Sequence, residues 1–308
     1  MRAKITKSTG SWYLAATEDY KIYQCRLAGH FRKRNIKNTN PIAVGDWVKL
    51  EPESAQMAII VELEPRRNYI IRKSVNLSKQ AHIIAANLDL SLLIVSLVNP
   101  KTLFGFIDRF LATAEAYSIP SLIVVNKTDL HGPNESNELQ YFEAVYGLAG
   151  YKTLSVSAAE LTGIKDLKEI LQNKTTLVSG NSGVGKSSLV NAIQPGLGIR
   201  TQALSKSHQQ GQHTTTFAEL YVLDFGGEII DTPGIKSFGM VDMEKAEIAH
   251  YFPEILKHSA QCKYHNCLHI DEPGCAVQAA VNDARIADTR YHNYLKMLES
   301  EDESSPYR

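Results

Sequence analysis

The chain has 308 residues, of which 33 are Lys or Arg and 33 are Asp or Glu, so its formal net charge is zero, and 44% are hydrophobic. This length predicts two or three domains of about 100 to 150 residues each, and the composition excludes disorder throughout. No apolar run approaches the ~18 residues that cross a bilayer, and the N-terminus lacks the apolar segment of a secretory signal. We therefore expect a cytoplasmic protein with no membrane partner.

The charges are distributed unevenly along the chain. Residues 1–73 contain 14 basic and 7 acidic residues, whereas residues 74–308 contain 19 basic and 26 acidic ones, so net charges of +7 and −7 cancel. Such asymmetry indicates a basic part that faces a nucleic acid or a membrane. A basic surface that is merely solvated would have the same composition.

Residues 1–73 have the pattern of short strands separated by turn residues. Strand-like segments occupy 10–14, 20–27, 46–50 and 57–63, and no helical period of useful length occurs. This pattern suits a small closed barrel, of which the five-stranded oligonucleotide-binding (OB) barrel is one form. The loop 30–40 contains Arg32, Lys33, Arg34 and Lys37. We expect it to contact phosphates.

From about residue 80, apolar strands alternate with amphipathic helices, which is typical of a mostly parallel α/β sheet. The strand at 175–180 leads into a phosphate-loop pattern that is followed by a helix. Glycines let backbone N–H groups point at phosphate oxygens, the lysine adds a positive charge, and the serine is a Mg²⁺ ligand. A glycine turn without nucleotide is the alternative. The expected nucleotide-binding residues are Gly180, Asn181, Ser182, Gly183, Val184, Gly185, Lys186, Ser187 and Ser188.

A base-recognition motif, Asn126-Lys127-Thr128-Asp129, precedes the phosphate loop. The Asp129 carboxylate can accept hydrogen bonds from the ring N1–H and the exocyclic amine of guanine, a donor pair that adenine lacks. Asn126 can bind the base edge and neighbouring loops, and the Lys127 stem can cover the ring face. Alone, the motif could be an Asn-Lys turn with a helix-capping Asp. Ser157 and Ala158, at the end of another strand, are weaker candidates for the base pocket.

Two segments after the phosphate loop resemble the switches of a GTPase. Asp231 follows a strand, where its carboxylate can hold Mg²⁺ through water, and the Gly234 N–H can meet the γ-phosphate. In the loop 211–216, Thr215 is the expected Mg²⁺ ligand beside Ser187, with Thr214 as an alternative. The base motif precedes the phosphate loop, the reverse of the usual order, so the domain is predicted to be circularly permuted. The second switch then leads directly into residues 239–308, which we expect to respond to hydrolysis.

Residues 239–308 lack strand-like runs and have the pattern of helices around a Cys/His cluster. Three thiols and one imidazole suit a closed, structural Zn²⁺ site, with Cys262, Cys267, His269 and Cys275 as ligands. On spacing alone, His265 is a competing ligand.

The chain combines the basic barrel with Val44-Gly45-Asp46, NKTD, GNSGVGKSS, GQHTTT, DTPG and CKYHNCLHIDEPGCAV at 262–277. Together these elements resemble the RsgA (YjeQ) family of circularly permuted GTPases over essentially the whole chain. The resemblance implies an OB-fold barrel (1–73), a permuted α/β P-loop GTPase domain (74–238) and an α-helical zinc-binding domain (239–308). It also implies GTP/GDP, Mg²⁺ and one structural Zn²⁺ as cofactors, and it favours His269 over His265.

The resemblance further implies a role in late maturation of the small ribosomal subunit, with that subunit and its rRNA as partners and as stimulators of hydrolysis. We expect a monomer. Gly234 is followed by Ile235, which cannot orient water, so we assign water orientation to His213, where the family also has a His. A His213 that only stabilises its loop is the alternative. The alternative function is a GTP-sensing RNA-binding module with incidental hydrolysis, whereas a P-loop kinase conflicts with NKTD.

Overall fold

The computed structural model describes residues 1–9, 12–29, 31, 41–73, 81–197, 218–232 and 244–300. The predicted bounds of the three domains, 1–73, 74–238 and 239–308, remain predictions.

The N-terminal part is a closed five-stranded barrel. Its strands are β1 (Arg2–Ser8), β2 (Tyr13–Thr17), β3 (Ile22–Leu27), β4 (Trp47–Pro52) and β5 (Met57–Leu63). They pair in the order β1-β2-β3-β5-β4, and β4 pairs back to β1. Alternating side chains such as Ala3, Ile5 and Tyr13 fill the interior. The OB-fold prediction is thereby confirmed, although β1 was not among the predicted strand-like segments.

A hairpin connects this barrel to the α/β domain. It consists of β6 (Tyr69–Lys73) and β7 (Ala81–Ala86), which are antiparallel. Ile70 and Ala85 belong to the core of the α/β domain. Gly45 of the barrel has a φ of +89°, and a Cβ at this position would lie 2.2 Å from the Ala86 carbonyl oxygen. Glycine is therefore required where the two parts touch.

The α/β domain is a mostly parallel sheet with helices on both faces. Its strands are β8 (Leu90–Val95), β9 (Ser121–Val125), β10 (Lys152–Ser155), β11 (Thr175–Gly180), β12 (Glu219–Val222) and β13 (Glu228–Asp231). The order is β10-β9-β8-β11-β13-β12, and β12 is antiparallel to β13. All six residues of β8 are buried because both faces of the sheet are covered.

Within the described residues, four helices cover this sheet: α1 (Phe104–Ala116), α2 (Pro133–Leu148), α3 (Ile164–Leu171) and α4 (Lys186–Ile193). A short 3₁₀ helix, Thr128–Leu130, precedes α2. Side chains of α1 and α2 pack into the core on one face of the sheet. Side chains of α3 and α4 pack into the core on the other face.

The two sheets are continuous. β1 of the barrel pairs with β12 of the α/β domain, where Lys7 is opposite Glu219. The Lys4 ammonium donates to Thr175 Oγ1 at 2.9 Å and to Glu228. The Lys7 ammonium also lies 3.1 Å from Glu219 Oε2. These two partly buried ion pairs fix the barrel against the second domain.

The C-terminal part contains α5 (Lys245–Ile248), the 3₁₀ helix Ala249–Tyr251, α6 (Pro253–Ser259), α7 (Ala276–Asn282) and α8 (Asp288–Ser300). No strand occurs within residues 244–300, as the sequence predicts. Their core contains Phe252, Ile255, Val277 and Tyr294, and Ala112 of α1 joins it, so α8 packs on α1. Across the described ranges, no helix is both long and apolar enough to traverse a lipid bilayer.

Candidate nucleotide site and metal centre

The predicted nucleotide-binding segments meet at one edge of the α/β sheet. β9, β8, β11 and β13 are neighbouring parallel strands. Their carboxyl ends therefore lie side by side, the place where open α/β sheets bind ligands. The base motif follows β9, the phosphate loop follows β11, and Asp231 ends β13. Parallel pairing thus brings together residues that are up to about a hundred positions apart in the chain.

The phosphate loop has the backbone geometry of an anion-binding turn. Gly183 and Gly185 have φ values of +85° and +90°. A Cβ at Gly180 would lie 2.4 Å from the Ile94 carbonyl oxygen, and a Cβ at Gly185 would lie 2.4 Å from Asn126 Nδ2. A side chain at either position would clash with these atoms and distort the anion-binding turn. Helix α4 begins at Lys186, so its N-terminal N–H groups point into this turn.

Lys186 and Asp231 place opposite charges beside the phosphate loop. The Lys186 ammonium lies 3.4 Å from Asp231 Oδ1. Asp231 is only 8% exposed, and within the described residues this Oδ1 has no hydrogen-bond donor. A buried carboxylate oxygen without a donor is costly unless a cation is close. Together with the Ser187 hydroxyl, these groups fit a nucleotide with its Mg²⁺.

Asn126 and Lys127 join the base motif to the phosphate loop. The Asn126 Nδ2 donates to the Val184 carbonyl at 2.9 Å, and its Oδ1 accepts from the Ala158 N–H at 3.1 Å. The Lys127 ammonium donates to the Gly183 carbonyl at 2.7 Å. Burial lowers the Lys127 pKa, although the Asp129 charge opposes this. Of the two roles predicted for Asn126, the contact with neighbouring loops is the one the geometry shows.

Asp129 is exposed, and a hydrogen bond from Ser157 orients its carboxylate. The fully buried Ser157 donates from Oγ to Asp129 Oδ1 at 2.6 Å. The predicted base-pocket residues Ser157 and Ala158 therefore both contact the base motif. The geometry leaves Asp129 at the surface of the cleft, where a base edge could approach it.

A further contact in this site was not predicted from the sequence. The Asn99 carbonyl, in the loop after β8, accepts a second hydrogen bond from Lys127 Nζ at 2.5 Å. A backbone acceptor carries no residue signature, so no pattern could have predicted it. His213, Thr214, Thr215 and Gly234 lie outside the described residues, and their assignments remain predictions.

The C-terminal Cys/His cluster has the geometry of a metal centre. The ligand atoms of Cys262, Cys267, His269 and Cys275 all lie within 4.8 Å of one another. His269 Nδ1 is 3.6 Å from Cys262 Sγ and 3.4 Å from Cys275 Sγ, and these two sulfurs are 4.0 Å apart. A tetrahedron with Zn–S of about 2.3 Å and Zn–N of about 2.0 Å has edges of roughly 3.5 to 3.8 Å. The cluster therefore fits one structural zinc, whereas His265 is exposed and outside it.

Hydrogen bonds around the cluster fix its backbone. Glu272 accepts from the N–H groups of Leu268 and Ile270 at 2.7 and 2.8 Å, and Tyr294 donates to the Leu268 carbonyl at 2.8 Å. Burial lowers the His269 pKa, which favours the neutral ligand form, and raises the pKa of the Cys267 thiol to about 12. Metal binding would therefore have to displace the thiol proton.

Known proteins match this chain over nearly its whole length. A family model described as RsgA N-terminal domain matches residues 3–60, and one described as RsgA GTPase matches residues 63–241. Proteins named small ribosomal subunit biogenesis GTPase RsgA from Christiangramia forsetii and Flavobacterium psychrophilum are 48% and 51% identical over 307 residues. These alignments cover 99% of this chain and 98% and 94% of the relatives.

Two solved structures share the whole fold. The crystal structure of YjeQ from Thermotoga maritima has a TM-score of 0.83 at 33% identity, covering 99% of each chain. The crystal structure of YloQ, described as a circularly permuted GTPase, has a TM-score of 0.78 at 32% identity, covering 100% of this chain and 96% of that one. The permuted order of the motifs is thereby confirmed as a property of the fold.

Proposed function

Since this chain belongs to the RsgA GTPase family, we propose that it hydrolyses GTP in the biogenesis of the small ribosomal subunit. The observation that carries the proposal is the junction of base motif and phosphate loop, where Asn126 contacts Val184 and Lys127 contacts Gly183. We further propose that the protein acts in the cytoplasm as a monomer, with the three units 1–73, 74–238 and 239–308.

The site geometry supports the proposed roles of the described residues, whereas the roles of Thr214, Thr215 and Gly234 rest on the sequence motifs alone. Asp129 reads the guanine edge, Lys127 covers the base, and the backbone from Gly180 to Ser188 binds the phosphates. Ser187 and Thr215 would hold Mg²⁺, with Thr214 as the alternative and with Asp231 acting through water. The Gly234 N–H would meet the γ-phosphate. When bound, Mg²⁺ would supply positive charge to the phosphate oxygens.

Hydrolysis requires a group that orients the attacking water, and we propose His213. Ile235, which follows Gly234, has no polar atom for this purpose. We expect His213→Ala to abolish subunit-stimulated turnover while GTP binding stays intact, and the exposed His292→Ala serves as the matched control. Turnover that survives in His213→Ala with intact binding would leave His213 as a loop-stabilising residue.

The small subunit and its rRNA are the proposed partners, bound through the barrel and released according to nucleotide state. Steady-state GTP hydrolysis with and without purified small subunits tests this. We expect marked stimulation, which Lys186→Ala should abolish because the phosphates then lose the Lys186 ammonium as a charged donor. Equal rates with and without subunits would favour the alternative, a GTP-sensing RNA-binding module.

A further inference from the structure

A buried cluster of charges joins the C-terminal domain to the α/β domain. Arg290 of α8, 1% exposed, donates to Asp108 Oδ1 of α1 at 2.8 Å and to the Glu254 carboxylate at 2.8 and 3.1 Å. Its guanidinium carbon lies 4.6 Å from the centre of the Phe252 ring. Removing one partner from such a cluster leaves a buried charge uncompensated. The cluster therefore holds α8 in one position against α1.

This cluster lies at the beginning of α1. Asp108 is four residues after Phe104, the first residue of α1, which is about 6 Å along the helix axis. Asn293, nearly one turn beyond Arg290 in α8, donates from Nδ2 to Asp108 Oδ2 at 2.6 Å. A Cβ at Gly105 would lie 3.5 Å from Asn293 Oδ1, so α8 and α1 are in close contact there. α8 thus contacts the first two turns of α1, at Gly105 and at Asp108.

The first turn of α1 is continuous with the loop 96–103, which contacts the base motif. Two hydrogen bonds close this loop: the Thr102 N–H donates to the Ser96 carbonyl at 2.8 Å, and the Ser96 N–H donates to Thr102 Oγ1 at 3.1 Å. From inside the loop, the Asn99 carbonyl binds the Lys127 ammonium. A shift of α1 would therefore move one of the two carbonyls that hold Lys127.

We propose that Arg290 and Asn293 are positioning residues for Lys127, acting through Asp108, α1 and the loop 96–103, so that the C-terminal domain sets the affinity for guanine nucleotide. The inference rests on the proposed function. It concerns the lysine that covers the face of the base. Asp129, which reads the base edge, is held separately by Ser157.

The test uses full-length, zinc-loaded protein and the dissociation constants of GDP and IDP, measured by calorimetry. We expect Asn293→Ala to weaken both nucleotides by the same factor of about 3 to 10, the worth of one hydrogen bond. Both nucleotides should weaken equally because Lys127 covers the ring face, which hypoxanthine shares with guanine. Hypoxanthine lacks only the exocyclic amine. Arg290→Met should act in the same direction and more strongly. Arg285→Met, at a half-exposed arginine paired with Asp283, is the control and should bind like the wild type.

A double-mutant cycle separates positioning from general destabilisation. In a Lys127→Ala background, Asn293→Ala should have no further effect on GDP affinity, because its route to the base has been removed. Asn293→Ala leaves the Arg290 ion pairs in place, so this variant tests the inference even if the Arg290→Met variant does not fold. Wild-type affinity in Asn293→Ala, or a weakening that persists in the Lys127→Ala background, would overturn the inference and leave the proposed function standing. A wild-type protein that binds no guanine nucleotide would instead overturn the proposed function.

Discussion

Ser157 shows how a single hydroxyl completes the base motif from another strand. Its Oγ donates to Asp129 Oδ1 at 2.6 Å and accepts from the Glu160 N–H at 3.0 Å. Asp129 is exposed, so without this bond its carboxylate would sample several rotamers. The bond therefore restricts the carboxylate before a base arrives, and a restricted partner loses less entropy on binding.

We expect Ser157→Ala to weaken GDP binding by roughly 3- to 10-fold, the worth of one hydrogen bond that orients a charged acceptor. IDP binding should fall less, because hypoxanthine lacks the exocyclic amine that Asp129 would contact. Ser136→Ala, at an exposed hydroxyl in the first turn of α2, is the matched control for calorimetry. Equal GDP affinities of the Ser157 variant and the wild type would show that Asp129 needs no such support.

Among the functional residues, groups that lie close together in the chain were easier to predict from the sequence than contacts between distant positions. The phosphate loop, the base motif and the zinc ligands each lie within about a dozen residues, so their spacing is visible in one segment. Arg290 and Asp108 are 182 positions apart, and neither belongs to a motif. Only the packing of α8 on α1 brings them together.

Strand β1 was missed because its alternation is short: only Ala3 and Ile5 alternate with polar residues before a β-bulge between Ile5 and Lys7 shifts the phase. Lys4 and Lys7 lie in a segment that begins with a charged residue, and such a segment resembles a solvated terminus. In the structure, Lys4 is 9% exposed and its ammonium lies 5.1 Å from the centre of the Trp47 ring. Lys4, on the polar side of β1, therefore faces the second domain and not water. A sequence pattern of one strand cannot show which partner covers it.

We expect Lys4→Met to destabilise the folded chain by about 1 to 3 kcal/mol, because Thr175 and Glu228 lose a buried donor. Lys49→Met removes an exposed pair with Glu62 and should leave the stability almost unchanged. Urea unfolding of both variants compares them. The double variant Lys4→Met, Glu228→Met should recover part of the stability. Equal effects of the two single substitutions would contradict a structural role for the junction pair.

For the whole molecule, the structure changes the meaning of the +7 charge of residues 1–73. Half of the 14 basic residues there are paired with carboxylates: Arg2, Lys4, Lys7, Arg26, Lys49, Arg66 and Arg67. Arg66 pairs with the buried Asp46, and Lys4 and Lys7 hold the domain junction. The other seven basic residues are Lys21 and six whose side chains lie outside the described part of the structure: Arg32, Lys33, Arg34, Lys37, Arg72 and Lys73.

The distinction between basic residues that have carboxylate partners and those of the loop 30–40 predicts which charges bind RNA. Replacing Arg32, Lys33, Arg34 and Lys37 by Gln should weaken sedimentation with small subunits in the GTP-analogue state. It should also reduce the slope of log affinity against log salt by about 0.7 to 0.9 for each phosphate that the variant no longer neutralises. Neutralising the paired Arg26 and Lys49 in the same barrel is the control, and we expect little change in slope because their charges already have partners. If the slope of the control variant falls as much as that of the loop variant, binding follows the total charge of the barrel and not the loop 30–40.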